Sequence, residues 1–354
     1  MDCLNTMTQI LAFAIDPHRM SRPAVRRCRG VLAHCVILVT LLLGACGDET
    51  SGGGVGPYPV GQSADSITLN GVTHTFSVFV PAAAEPNNPV PLIVSLHGGG
   101  GSADDFEQSA QVQADAEAEG IAVIRVNGYA TDNDLLTWNA GYCCGAAQRD
   151  NVDHVGAIGA IIDRVESRAS IDASRVAAAG HSNGGMMAYR LGCQLSDRIT
   201  HVAASAAYLV NEDLSTDPPT TLFACAPSQP VSVIHFHGLQ DACAPFEGGE
   251  GAGVINDERP PVSDTIAQMR AANQCADASS DVVTGAGELE RRTLAGCAAD
   301  RVVQLNTVDS AGHVWFGSPQ YASQPICEGS TTMLLSANQE IFSLLRDNPR
   351  QSTE

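Results

Sequence analysis

Arg175-Val-Ala-Ala-Ala-Gly-His-Ser182-Asn-Gly-Gly-Met-Met187 is the stretch that decides the fold of this 354-residue chain. A short apolar run, Val176–Ala179, enters Gly180-x-Ser182-x-Gly184 and leaves through a helical stretch, Gly184–Cys193. A strand that becomes a helix across one serine must bend sharply, and a Cβ at either flanking glycine would collide with neighbouring strands. The serine hydroxyl then stands at a helix N-terminus, where the dipole favours developing negative charge. Gly-x-Ser-x-Gly by itself is also a common glycine turn; the strand before it and the helix after it make the signal specific.

Working outward, six more apolar runs rich in Val and Ile alternate with helical stretches: Thr75–Val80, Leu92–Leu96, Ile121–Val126, Val202–Ala206, Val231–Phe236 and Val302–Val308. Near-continuous apolar strands separated by helices are the pattern of a mostly parallel sheet with helices on both faces, so the fold class is α/β. The helices expected are Asp104–Glu119, Val152–Arg168, Gly184–Cys193, Val262–Ala272 and Thr331–Leu345. In the second, Val155, Ile158, Ile162 and Val165 recur at helical spacing. Ile67–Leu69 and Thr75–Val80 flank Asn70-Gly71 and predict an antiparallel hairpin at the sheet edge. Residues 64–348 read as one domain without internal repeats, and 349–354 as a tail.

On such a sheet the partners of an elbow serine follow it in the order acid, then histidine. Of the ten histidines only His313 lies beyond residue 237, which makes it the candidate base. The acid belongs at the end of Val231–Phe236, where His237-Gly-Leu-Gln-Asp241 puts Asp241 in the following turn, with Glu247 as fallback. All of them sit at carboxyl ends of strands, the edge at which open α/β sheets bind ligands. Leu92–Leu96 runs into His97-Gly98-Gly99-Gly100-Gly101, whose bare N–H groups would form half of an oxyanion hole, the amide of Asn183 being the other half. Gly98-x-Gly100-x-x-Ala103 also fits a dinucleotide fingerprint, with Glu117 or Glu119 as ribose acid, but a lone match of this kind is weak and no cofactor is expected. His235-x-His237 places two histidines on one strand face. With no third ligand in the sequence beyond the committed Asp241, they read as satisfied polar groups and no metal is expected.

Composition narrows the chemistry further. The chain has no lysine, which excludes Walker-type ATPases, Schiff-base enzymes and serine–lysine dyads. A formal net charge of −20 leaves no footprint for nucleic acid. At the N-terminus Arg22, Arg26, Arg27 and Arg29 precede an apolar run, Val31–Leu43, and then small residues up to Cys46, which is the layout of a secretory signal. The run falls short of the roughly 20 residues that span a bilayer, so residues 1–45 are expected to be cleaved, with 1–19 reading as a mis-called start ahead of Met20. Leu43-Gly-Ala-Cys46 resembles the bacterial lipobox, so Cys46 would carry lipid. The protein would then be exported, lipid-anchored to the bacterial cell envelope or secreted, and would touch membrane only through that anchor. Residues 46–63, rich in Gly, Ser, Pro and acid, read as a flexible tether. Eight cysteines remain: Cys143, Cys144, Cys193, Cys225, Cys243, Cys275, Cys297 and Cys327. In an oxidising compartment they make four disulfides, with about a hundred connectivities open.

Together the motifs resemble the exported poly(3-hydroxybutyrate) depolymerase and feruloyl esterase family of α/β hydrolases. The resemblance runs from about His97 to Gly317: His97-Gly-Gly-Gly, Gly141-Tyr-Cys-Cys-Gly145, Val152-Asp-His-Val-Gly156, Gly180-His-Ser-Asn-Gly-Gly-Met-Met187, His237-Gly-x-x-Asp241 and Gly312-His-Val-Trp-Phe-Gly317. It implies an α/β-hydrolase fold and a serine esterase acting on polyhydroxybutyrate-type oligoesters or on feruloyl and acetyl esters of plant cell walls. It also implies Ser182 as nucleophile, Asp241 as acid, His313 as base, and the amides of Gly99 and Asn183 as oxyanion donors. In the family the paired cysteines, here Cys143 and Cys144, look bonded to later ones, with Cys193 and Cys225 as candidate partners and Cys275–Cys297 as a further bridge. Two positions depart from the pattern. His154 replaces the second acid of Val-Asp-Asp-Val-Gly, which is expected to loosen a helix start, and Phe316 replaces a proline, which is expected to reshape the pocket wall.

His97, His181, Trp138 and Trp315 fall beside these motifs as candidate substrate contacts, the tryptophans being equally suited to filling core. Little chain follows His313, so no C-terminal polymer-binding domain is expected, which favours soluble oligomers or short esters. The non-catalytic alternative is an inactive surface lipoprotein that binds polysaccharide or polyester in the same cleft; the presence of every triad residue type disfavours it.

Overall fold

The computed structural model describes residues 56–131, 134–252, 258–319, 327 and 329–351. Residues 1–45, expected to be a cleaved signal with 1–19 ahead of the true start, and Cys46, the expected lipid site, lie outside the described residues. Ten strands form one sheet: β1 (Gly61–Leu69), β2 (Val72–Val80), β3 (Val90–Leu96), β4 (Ala122–Val126), β5 (Ile171–His181), β6 (His201–Ser205), β7 (Ser232–Gly238), β8 (Val282–Ala286), β9 (Leu289–Thr293) and β10 (Val303–Val308). Their order is β1-β2-β4-β3-β5-β6-β7-β10-β9-β8. The central strands from β4 to β10 pair parallel, and an antiparallel hairpin closes each edge. This is the fold class expected.

Every residue from Val176 to His181 on β5 is buried, yet the strand keeps its period of two: Val176 and Ala178 enter one core, Ala177 and Ala179 the other. Against the first core pack α4 (His154–Glu166), α5 (Asn183–Gln194) and α6 (Val262–Ala272), through Ile158, Ile162, Leu191 and Ile266. Against the second pack α1 (Ala103–Ala110), α2 (Val112–Ala118) and α7 (Ala337–Asp347), through Phe106, Ala116, Ile341 and Phe342. A short α3 (Gly145–Arg149) lies between β4 and α4.

Several boundaries differ from the sequence reading, each for a local reason. The helix expected over 104–119 breaks at Gln111, whose φ of 53° ends α1 and starts α2. The last helix starts at Ala337 rather than Thr331, because Ser336 caps it by accepting from Gln339 N. The tether ends early: Gly61–Ser63 carry no apolar pattern but pair with Val78–Val80, whose edge would otherwise expose unpaired N–H and C=O groups. Asp65 pins this edge strand through Arg164 (2.8 Å) and Arg168 (2.9 Å). The far-edge hairpin of β8 and β9 went unread because β8 is exposed throughout and lacks a buried face to pattern it. The tail is partly docked, Arg350 N donating to Ser174 O at 2.9 Å.

The eight cysteines pair as Cys193–Cys225, Cys243–Cys327, Cys275–Cys297 and Cys143–Cys144. The Cys275–Cys297 bridge is as expected. The pairing of Cys143 and Cys144 with Cys193 and Cys225 is not: Cys193, in the last turn of α5, sits with its Cα 4.6 Å from that of Cys225, and the two adjacent cysteines bond each other.

Candidate active site

Ser182 follows β5 and precedes α5 with φ 54° and ψ −124°, a strained conformation for a residue bearing a Cβ. Both flanking glycines are sterically required. A Cβ on Gly184 would lie 2.3 Å from Leu96 O and 2.4 Å from His97 O, and one on Gly180 would lie 2.4 Å from the Gly184 backbone. The first contact is with β3, as the sequence argument requires; the second is with the elbow itself. Close approach at this corner thus sets Ser182 beside the glycine turn after β3, where a Cβ on Gly98 would stand 3.6 Å from Ser182 Cβ.

That turn is braced from behind. Trp138 Nε1 donates to His97 O at 2.8 Å, Trp138 N donates to Asn183 Oδ1 at 2.7 Å, and Asn183 Nδ2 donates to Trp138 O at 3.2 Å. His97 Nε2 accepts from Gly128 N–H at 2.9 Å, which leaves Nδ1 to donate to Gly98 O at 2.8 Å, and burial pushes its pKa down to about 4. The amides of Gly100 and Gly101 donate to Leu136 O and Gly98 O, whereas the Gly99 amide has no acceptor among the described residues. Asn183 opens α5, where first-turn N–H groups have no intrahelical partner.

At the end of β7, Asp241 is buried, with Oδ1 accepting from the amides of Cys243 (2.9 Å) and Ala244 (2.7 Å). Its Oδ2 accepts from His313 Nδ1 at 2.8 Å across 72 residues of sequence. Donation from Nδ1 leaves Nε2 of the neutral ring with its lone pair. The two loops pass closely because residue 238 is glycine: a Cβ there would sit 2.1 Å from Ala311 O. Ser205 Oγ donates to Val314 O at 2.9 Å and fixes the far side of the His313 loop, and the His181 ring lies 4.5 Å from that of His313. Burial, with His313 nearby, holds the His181 pKa well below the ordinary histidine value. The fallback acid, Glu247, is exposed and away from this contact.

Two cavities meet at Gly99, Ser182 and His313. One of about 170 Å³ is lined also by His97, Gly98, Asp105, Phe106, Ser109 and His181; the other, of about 350 Å³, by Leu135, Cys143, Cys144, Arg149, Met186 and Arg259 among others. His97 and His181, the candidate substrate contacts, therefore line the smaller cavity beside Ser182 and His313. The tryptophans do not. Trp138 is 0% and Trp315 1% exposed, the latter donating from Nε1 to Asn338 Oδ1 at 2.9 Å and packing edge-on against Phe106. Phe316 packs on Phe236 in the same core and leaves the cavity wall untouched. His154 does not loosen its helix either: Asp153 caps α4 through Gly156 N at 2.8 Å, while His154 Nδ1 accepts from Asn139 N. Leu135, Arg149 and Arg259 were not singled out from the sequence, nor was Met186 given a role, because which side chains wall a cavity depends on how distant segments meet and leaves no periodic signal.

Residues 74–235 match the protein family described as Esterase PHB depolymerase. NocK of Nocardia uniformis subsp. tsuyamanensis, which bears an esterase name, is 28% identical over 288 residues, covering 77% of this chain and 79% of that protein. Feruloyl esterase B of Piromyces equi is 31% identical over 169 residues, covering 48% of this chain and 29% of that protein. Among solved structures, the acetyl xylan esterase from Aspergillus awamori superposes with a TM-score of 0.51 at 13% identity, over 71% of this chain and 94% of that one. That last likeness is one of fold.

Proposed function

We propose, from the premise that the chain carries an esterase domain of the poly(3-hydroxybutyrate) depolymerase family, that it hydrolyses carboxylic esters through Ser182, His313 and Asp241. His313 takes the hydroxyl proton of Ser182 on Nε2 as the oxygen attacks the ester carbonyl, and Asp241 holds the tautomer and stabilises the imidazolium. The tetrahedral oxyanion rests on the amides of Gly99 and Asn183, which are preorganised by the Trp138–Asn183 brace and so need no reorganisation during the step. The alcohol leaves with the proton from His313; water then attacks the acyl-enzyme with His313 again as base.

One observation carries the reading: His313, held by a buried 2.8 Å contact with Asp241, lines the same two cavities as a strained serine between glycines. The substrates it favours are hydroxybutyrate oligoesters or feruloyl and acetyl esters, with acyl and alcohol portions in the two cavities. Four disulfides support an exported protein, with Cys46 as lipid anchor. The test is Ser182→Ala. Loss of p-nitrophenyl acetate hydrolysis and of fluorophosphonate labelling is expected, and unchanged rates would overturn the assignment.

A further inference from the structure

Three buried side chains that take no part in this chemistry form a line of hydrogen bonds ending at the turn that holds Asp241. Tyr189 Oη lies 2.7 Å from His235 Nδ1, His235 Nε2 lies 3.0 Å from His237 Nδ1, and His237 Nε2 lies 2.7 Å from Ala244 O. All three residues are 0% exposed. Burial pushes both histidines below the ordinary histidine pKa, so the rings are neutral and the proton positions follow from elimination. A carbonyl oxygen only accepts, so His237 carries its proton on Nε2 and offers Nδ1 as acceptor. His235 must then donate from Nε2 and accept at Nδ1, and Tyr189 must donate. The line has one direction and no spare proton.

Its terminus is informative. The Ala244 carbonyl faces His237, while the Ala244 amide donates to Asp241 Oδ1 at 2.7 Å. His237 itself stands 3.9 Å from Asp241 Oδ2, beyond hydrogen-bond reach, with the Tyr208 and Phe246 rings on its other sides. We propose that His237, held in one tautomer by His235 and Tyr189, is a positioning residue: by fixing the Ala244 carbonyl it fixes the 241–244 turn and so aims the Asp241 carboxylate at His313. An apolar side chain at 237 would leave the buried Ala244 carbonyl without its donor and free the turn to rotate its amides away from Asp241.

This inference rests on the triad reading, and the experiment separates the two. In the full chain, His237→Phe removes both hydrogen bonds but keeps a ring, whereas His237→Gln can still donate to Ala244 O and accept from His235. The readouts are kcat and KM for p-nitrophenyl acetate, and the NMR resonance of the His313 Nδ1 proton, which Asp241 accepts, with Ser182→Ala as background. Expected for His237→Phe is a kcat loss of about 10- to 100-fold with KM little changed, the scale of a small misplacement of a catalytic group. The His313 Nδ1–H resonance should move upfield as its carboxylate acceptor withdraws from 2.8 Å, and His237→Gln should restore most of both. Wild-type kcat and an unmoved His313 Nδ1–H resonance in His237→Phe, whatever its melting temperature, would mean that His237 only fills core and would overturn the proposal. If His237→Phe does not fold, His237→Met, which adapts its shape but makes neither bond, decides in the same way. A wild-type chain with no turnover would sink the esterase reading alone, because the His313 Nδ1–H resonance still reports whether His237 governs the Asp241–His313 contact.

Discussion

Asp241→Asn exchanges one atom of the site, and the hydrogen bonds around it dictate which. Oδ1 faces two donors, the amides of Cys243 at 2.9 Å and Ala244 at 2.7 Å, so the variant's amide oxygen must take that place. Its NH₂ group then occupies the position of Oδ2, 2.8 Å from His313 Nδ1, and can only donate there. The imidazole answers by moving its proton to Nε2, the nitrogen that has to receive the serine proton. In serine hydrolases whose histidine is trapped in this tautomer, kcat falls by about 10⁴, equivalent to about 5 kcal/mol of barrier. Stability should move far less, because the same three contacts persist with one reversed in direction. We expect kcat for p-nitrophenyl acetate to drop by about 10³ to 10⁴, with KM and the thermal midpoint close to wild type. A folded Asp241→Asn protein within tenfold of wild-type kcat would refute the tautomer argument, and with it the role of the 241–313 contact.

Two further outcomes follow from burial and from close packing. His97, His154 and His201 are buried neutral, with burial lowering their pKa to about 4, 3 and 3, while unfolding returns them to ordinary values near 6.5. The unfolded chain therefore binds protons that the folded one refuses, so stability is lost as pH falls below 6.5 and the loss levels off only near the folded values. By pH 5 this amounts to about 2 kcal/mol for each of the three; urea unfolding followed across that range should show it, and a flat profile would contradict the burial of neutral rings. Gly184→Ala drives a Cβ to 2.3 Å from Leu96 O, a backbone atom that cannot rotate away. A destabilisation of about 1–3 kcal/mol and a loss of about 100-fold or more in kcat are expected from melting curves and kinetics, and wild-type values in both would show that the elbow tolerates a side chain.

The elbow was legible in the sequence because its constraints are local: Gly180 and Gly184 are demanded by atoms a few residues or one strand away, and the strand and helix around Ser182 each show their own periodicity. Asp241 and His313 were legible through chain order and the scarcity of histidines beyond residue 237. Other features depend on which surfaces meet and had no local signature. Nothing near Cys143, Cys144, Cys193 or Cys225 says which sulfurs will adjoin. Trp138 and Trp315 stand in or beside motifs that suited either substrate or core, and only packing buried both, one bracing the glycine turn and the other packing edge-on against Phe106. The Gly61–Ser63 segment became strand because β2 offered it an unpaired edge. Residue types and their order along the chain thus determined the class of fold and the three candidate groups of the proposed site. Long-range packing alone decided the sulfur pairing, the cavity walls and the buried histidine line beneath Asp241, because a contact between distant segments depends on the shape of both surfaces and neither segment encodes the other.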